Sequence, residues 1–278
     1  MRAAILKQAT AALVVAALAS PTPSRAATRA AGTPAEAAWA PHASDTWQWQ
    51  LSGTLDTAYN VAVYDIDLFE TPLPTIAALH ARGIHVVCYF SAGSGENWRP
   101  DYAAFAKTDL GHPLSGWAGE RWLDTRSKTV RAVMTRRLDL AVAKGCDGVE
   151  PDNVDAFQNH PGFALTANTQ FDYNRFLAHA AHDRGLAVAL KNDVDQVAAL
   201  APAFDFALNE QCHEYAECGA YAAFATLGKA VFNAEYSSAY MKNTRGARDR
   251  LCAASKAAGI RTLVLPLLLD DKFRIACD

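Results

Sequence analysis

GCDGVEPDNVDAF, residues 145–157, carries four carboxylates, Asp147, Glu150, Asp152 and Asp155. They end a segment, LDLAVAKGCDGV (138–149), that otherwise reads as buried helix turning into buried strand. Carboxylates this close raise one another's pKa and cost stability unless something uses them. The helix stops at Gly145, and the same junction recurs along the chain. TPLPTIAALHAR (71–82) ends at Gly83, the pattern over 169–184 at Gly185, and LCAASKAA (251–258) at Gly259. Helix, glycine, strand, repeated four times, is the loop signature of βα units.

Working outward, eight β-rich runs emerge: 60–67, 85–93, 121–124, 146–152, 186–193, 204–210, 229–236 and 261–270. Their near-continuous Val, Ala and Leu content is that of parallel strands buried on both faces. Eight such runs with helices between them, in about 240 residues, predict an α/β fold, a single-domain (β/α)8 TIM barrel. A doubly wound open sheet is the alternative, but no GxGxxG loop follows any strand. In a barrel the site lies at the C-terminal ends of the strands. The polar residues of the runs gather there: Asp65, Asp67, Tyr89, Ser91, Asp124, Glu150, Asp152, Asn153, Lys191, Asn192, Glu210, Glu235 and Tyr236.

Residues 1–26 read as a cleaved secretory signal peptide, with Arg2 and Lys7 ahead of the apolar run AALVVAALA (11–19) and the small residues of SRAA. That run is much shorter than the roughly 20 residues a membrane span needs. Residues 27–38 read as a disordered lead, and 39–278 as the barrel. Loss of Arg2, Lys7 and Arg25, with no acidic residue, moves the net charge from −3 to −6. An acidic exported chain without a basic cluster excludes nucleic acid as partner and suits neutral or cationic ligands. Six cysteines in such a chain suggest disulfides. Cys212 pairs with Cys218 across a short loop, and Cys252 with Cys277 is a clamp for the C-terminus. Cys88 and Cys146, inside or beside apolar strands, read as buried thiols. Neither CxxC nor HxxxH spacing is present, so no metal or cofactor is expected.

A mouth of carboxylates, amides and aromatics suits sugars. Glycosidic cleavage needs two carboxyl groups flanking the bond, one to protonate the leaving oxygen and one to attack or to activate water. Asp152 and Glu210 are the expected pair. The sequence also resembles glycoside hydrolase family 114, the endo-α-1,4-polygalactosaminidase family. The resemblance rests on WQWQLSG (47–53), VYDIDLFET (63–71), CYFSAGSGENWRPD (88–101), GWAGERWLD (116–124), DGVEPDNVDAF (147–157), AVALKND (187–193), NEQCHEY (209–215) and KAVFNAEY (229–236). It implies a (β/α)8 barrel, cleavage of α-1,4-linked galactosamine polymers, a partly cationic amino-sugar substrate, and catalytic carboxylates at Asp152 and Glu210. Similarity to retaining α-galactosidases further implies that Asp152 attacks and Glu210 protonates.

Other readings stand beside this one. Asp65 and Asp67 share a strand face and are candidate ligands. Glu150 alternates with Asp152 and is either a structural partner or a ligand. Asp155 reads as a cap for the next segment. Lys191 and Asn192 end a strand, where the lysine would lower a neighbouring carboxylate's pKa. Tyr89, Trp98 and Tyr236 are candidate stacking platforms, while Trp47 and Trp49 read as packing of the N-terminal closure. A non-catalytic carbohydrate-binding barrel is the alternative function; it would have lost one carboxylate of the pair, and both are present.

Overall fold

The computed structural model describes Ala37 and residues 39–277. The expected leader (1–26) and all but Ala37 of the lead (27–38) lie outside the described residues. No helix among the described residues is long and apolar enough to cross a membrane.

Among the described residues twelve strands form in chain order: β1 (Trp47–Gln50), β2 (Val63–Asp67), β3 (His85–Ser91), β4 (Ser94–Glu96), β5 (Leu110–Pro113), β6 (Glu120–Leu123), β7 (Gly148–Asp152), β8 (Ala187–Lys191), β9 (Phe206–Glu210), β10 (Val231–Glu235), β11 (Arg261–Val264) and β12 (Ile275–Ala276). The helices are α1 (Leu73–His80), α2 (Lys128–Lys144), α3 (Ala167–His182), α4 (Val197–Leu200), α5 (Ala222–Thr226), α6 (Ser238–Met241) and α7 (Ala247–Ala258). The main sheet runs β1–β2–β3–β7–β8–β9–β10–β11, all parallel, with β12 added antiparallel to β11. It curls until its ends meet. Trp47 Nε1 donates to Arg261 O at 3.0 Å, Arg274 donates to Trp47 O at 2.7 Å, and the amides of Leu51 and Ser52 donate to Leu269 O. The chain is a (β/α)8 barrel.

Alternation along each strand splits the core in two. Trp47, Val63, Val87, Ala189, Phe206, Phe232 and Leu263 fill the barrel interior. Tyr64, Ile66, Val86, Phe90 and Val149 face outward against Leu138, Leu177 and the other helix residues. Burying each large side chain is worth about 1.5–3 kcal/mol. The quoted junction folds as its residues dictate: Ser127 caps α2 by accepting from Thr129 N at 3.2 Å, and Gly145 ends it at φ +82°. Gly83, Gly185 and Gly259 are left-handed in the same way.

Two expectations need correction. The run at 121–124 is not a barrel strand. β6 belongs to a separate antiparallel sheet, β4–β6–β5, inserted between β3 and α2. The remaining barrel strand is β1, which the alternation WQWQ disguised as a packing segment. The two errors cancel, so Asp152 and Glu210 still end the fourth and sixth barrel strands. Gly93 starts the insertion, where a Cβ would lie 1.7 Å from Asn153 O; only glycine allows the insertion to lie so close to the end of β7. The second correction is covalent. Cys88 and Cys146 are not thiols but a disulfide, since β3 and the start of β7 are neighbours that bring their Cα atoms to 6.0 Å. The Cys212–Cys218 and Cys252–Cys277 bridges form as expected.

Candidate active site

The C-terminal mouth holds a cleft of about 260 Å³. Asp152, Asn153, Lys191, Asn192 and Glu210 line it from the ends of β7, β8 and β9, with Tyr89 from β3. The residue after each of those three strands is left-handed: Asn153 (φ 61°), Asn192 (φ 46°) and Gln211 (φ 61°). Asparagine tolerates that conformation better than most side chains, and such backbone clusters at functional sites. Each bend is also bonded. Asn192 Oδ1 accepts from Glu210 N at 2.9 Å, which ties the end of β8 to the end of β9.

Lys191 organises the floor. Its buried ammonium lies 2.7 Å from Glu150 Oε1, 3.3 Å from Asp152 Oδ1 and 3.4 Å from Glu210 Oε2. The Trp49 ring lies beneath it, 4.7 Å from Nζ to centroid. Burial alone would lower the Lys191 pKa, but Asp152, Glu150 and Glu210 outweigh it and hold the ammonium well above its usual range. Tyr89 donates its hydroxyl to Asp152 at 3.1 Å, and Tyr236 donates to Glu210. Below the cleft, Glu150 accepts from Trp49 Nε1 at 3.1 Å, and burial pushes its carboxyl up to about 7. Asp65 is buried beside it with no donor to either oxygen; burial and the charge of Glu150 push it well above the carboxylate range. A proton retained at Asp65 lets two carboxyls share that space, because one can then donate to the other.

Several expected site residues stand apart from the cleft. Asp67 is clamped by Arg99 at 3.0 and 2.5 Å and accepts from the amides of Phe69 and Glu70, so it anchors the insertion. Asp124 is gripped by Arg126, with Nε and Nη2 both at 2.8 Å. Ser91 is buried, bonded to Ser94 and Asn153. Glu235 is buried and accepts from His213 N at 2.9 Å. Glu150 and Asp65 lie beneath the floor, and Trp98 is a half-exposed side chain outside the lining.

The sequence reading missed the roof and part of the wall. Leu114, Ser115, Trp117, Glu120 and Trp122, on and beside the inserted sheet, cover one side; Leu267 and Leu269 cover another. Burial pushes Glu120 up to about 7 against the opposing bond from Ser94 Oγ at 2.5 Å. Asp155 also lines the cleft and does not cap the turn that follows. Cys212, His213 and Cys218 are grouped as metal ligands could be, but both sulfurs are spent in the disulfide.

Two carboxylates facing one cleft across a buried ammonium match glycoside chemistry, and residues 27–278 match the model of glycoside-hydrolase family GH114. The chain belongs to GH114. It is a glycoside hydrolase. The crystal structure of Aspergillus fumigatus Ega3 in complex with galactosamine is 40% identical, covers 88% of this chain and 100% of that one, and superposes with a TM-score of 0.81. The glycoside hydrolase domain of PelA from Pseudomonas aeruginosa shares the fold at 14% identity, covering 83% of this GH114 chain and 98% of its own, with a TM-score of 0.64. An uncharacterized protein of Deinococcus radiodurans is 26% identical over 251 residues, 78% of this chain and 80% of that one.

Proposed function

We propose that this GH114 hydrolase is a secreted, endo-acting enzyme that cleaves α-1,4-linked galactosamine polymers with retention. Asp152 is the nucleophile and Glu210 the acid/base. The observation that carries the pair is their common contact with Lys191 on the cleft floor, at 3.3 and 3.4 Å. Two oxygens that touch one Nζ can be no farther apart than those distances laid end to end. For those two oxygens the limit accommodates the ~5–5.5 Å spacing of retaining enzymes. Similarity to Ega3, whose structure holds galactosamine, supports the sugar.

In the first step a lone pair of Asp152 attacks C1 while Glu210 gives its proton to the leaving glycosidic oxygen, which departs as an alcohol. Glu210, now ionised, takes a proton from water, whose oxygen attacks C1 and releases Asp152. Tyr89 on Oδ2 and Lys191 on Oδ1 orient the Asp152 carboxylate. Tyr236 and Lys191 do the same for Glu210. Asn153, Lys191 and Asn192 line the space for the sugar. Three disulfides support export to an oxidising compartment, with 1–26 as the leader, 27–38 as the lead and 39–278 as the working domain.

The test is incubation with partly deacetylated α-1,4-galactosamine polymer, with mass analysis of products. Internal cleavage by the wild type and none by Asp152→Asn or Glu210→Gln is expected. An uncleaved polymer would sink the reading.

A further inference from the structure

We propose that Asp155 recognises the free 2-ammonium group of a galactosamine unit in the cleft, and so selects it over neutral and N-acetylated sugars. The inference rests on the proposed substrate class and goes on to name the residue that reads it.

Asp155 is the cleft carboxylate that no other side chain engages by a hydrogen bond or ion pair among the described residues. It follows β7 by three residues and lines the cleft. Its position ahead of the turn at 156–158 would suit a cap, yet its side chain caps nothing there. The bonds to that turn use its backbone carbonyl, which accepts from Gln158 N and Asn159 Nδ2. The other cleft carboxylates are engaged: Asp152 by Tyr89 and Lys191, Glu210 by Tyr236 and Lys191, and Glu120 by Ser94. Among the described residues, no lysine, arginine or histidine forms an ion pair with Asp155.

A cation is what this carboxylate lacks. Burial, then the charge of Asp152, pushes it up to about 6, and the opposing pulls of its own backbone amide and of Lys191 do not offset them. Lys191 is the one basic side chain among the lining residues, and three carboxylates already share it. An ammonium arriving on the sugar completes the missing pair with a charge-assisted hydrogen bond. A hydroxyl supplies no charge, and an acetamide supplies none either and adds bulk. Glu120, the other candidate, already accepts from Ser94 and is pushed up to about 7, which fits it to a sugar hydroxyl instead.

The test compares galactosamine with galactose by titration calorimetry at pH 7 on wild type and Asp155→Asn, with a thermal melt to verify folding. Wild type is expected to bind galactosamine at least about tenfold more tightly, the scale of a charged hydrogen bond. Asp155→Asn should bring galactosamine down to the affinity of galactose. In parallel, the variant's kcat/KM should fall on deacetylated oligosaccharides, and the wild-type preference over N-acetylated ones should collapse. A preference that survives in the variant, or one absent from the wild type, overturns the proposal. Asp155→Glu, which keeps the charge, should recover part of the preference; equal losses on all sugars in both variants would mark Asp155 as structural and also overturn it. Wild-type discrimination without hydrolysis would leave Asp155 standing and remove the reaction.

Discussion

Lys191→Met keeps the length of the side chain and deletes its charge. In the wild type the ammonium faces Glu150, Asp152 and Glu210 at 2.7, 3.3 and 3.4 Å. At an effective dielectric of ~20 the closest pair alone attracts by roughly 6 kcal/mol before desolvation is counted. Breaking such a buried pair leaves a net cost of about 3–5 kcal/mol, because the surviving charge has no partner. In a domain of this size that is a loss in Tm on the order of 10 °C. The cost also depends on pH. Glu150 is already raised to about 7 by burial, with Lys191 opposing the rise. Without the ammonium it rises further. A carboxyl raised on folding loses stability as pH climbs from its unfolded value through its folded one. The variant's deficit should therefore be small at pH 5 and large at pH 8, read by urea denaturation at both. Adding Glu150→Gln should recover much of the deficit at pH 8. A deficit equal at the two pH values, or no deficit at pH 8, would refute the electrostatic account of the floor.

Asp152→Asn and Glu210→Gln should each lose several orders of magnitude in kcat while melting as wild type. Azide should then give an α-azide product with Glu210→Gln and a β-azide with Asp152→Asn; the reverse would exchange the two roles. Replacing Cys212 and Cys218 by serine opens a loop of sequence separation 6 and should cost about 2 kcal/mol. Activity should fall further than that, since the loop begins at the left-handed Gln211 beside Glu210; a loss of stability without a change in kcat would contradict this. Asp193→Asn should raise Tm over wild type by more at pH 9 than at pH 5. Burial, then the charge of Asp155, pushes Asp193 up to about 8, so the wild type loses stability as pH rises from about 4 to about 8 and the neutral variant does not. An equal gain at both pH values would argue against it.

The barrel was legible because helix stops and continuous apolar strands are local features. β1 was not, because its buried polar residues are satisfied outside the strand. Gln48 and Gln50 are buried; Gln48 donates to Asp271 across 223 positions, and Gln50 donates to the Ser52 and Thr54 carbonyls of the loop that follows. A polar side chain with a remote partner looks in sequence like a side chain facing water. The same distance effect misplaced Asp67, since its partner Arg99 lies 32 residues on. Asp124 had a local signal: Arg126 follows it by two. The aromatic wall was misjudged because Trp98, Trp117 and Trp122 sit on or beside an antiparallel insertion, whose facing depends on pairing register and not on barrel alternation. Trp98 falls outside the cleft and the other two line it.

The four carboxylates of 145–157 separate by depth. Asp147, below the strand, accepts from Val86 N and meets His80, both at 2.8 Å, and so serves the lower end of the barrel. Glu150 is level with Tyr89, fully enclosed, and binds Lys191 and Trp49. Asp152, two residues on, shares its face but reaches the cleft, because alternation returns the side chain to the same side about 6.6 Å farther along. Asp155 lies beyond the strand, where it forms no ion pair among the described residues. Asp152 still holds Tyr89, Lys191 and the amide of Asn153, so what changes on moving up from Glu150 is access to the cleft. If Glu150 took the role of Asp155, its charge would be neutralised by Lys191 before any sugar arrived. If Asp155 took the role of Glu150, water and ligand would compete for the lysine that contacts Asp152 and Glu210. The spacing of the motif is what lets one strand end supply an anchor, the proposed attacking group and the proposed ammonium reader at three successive depths.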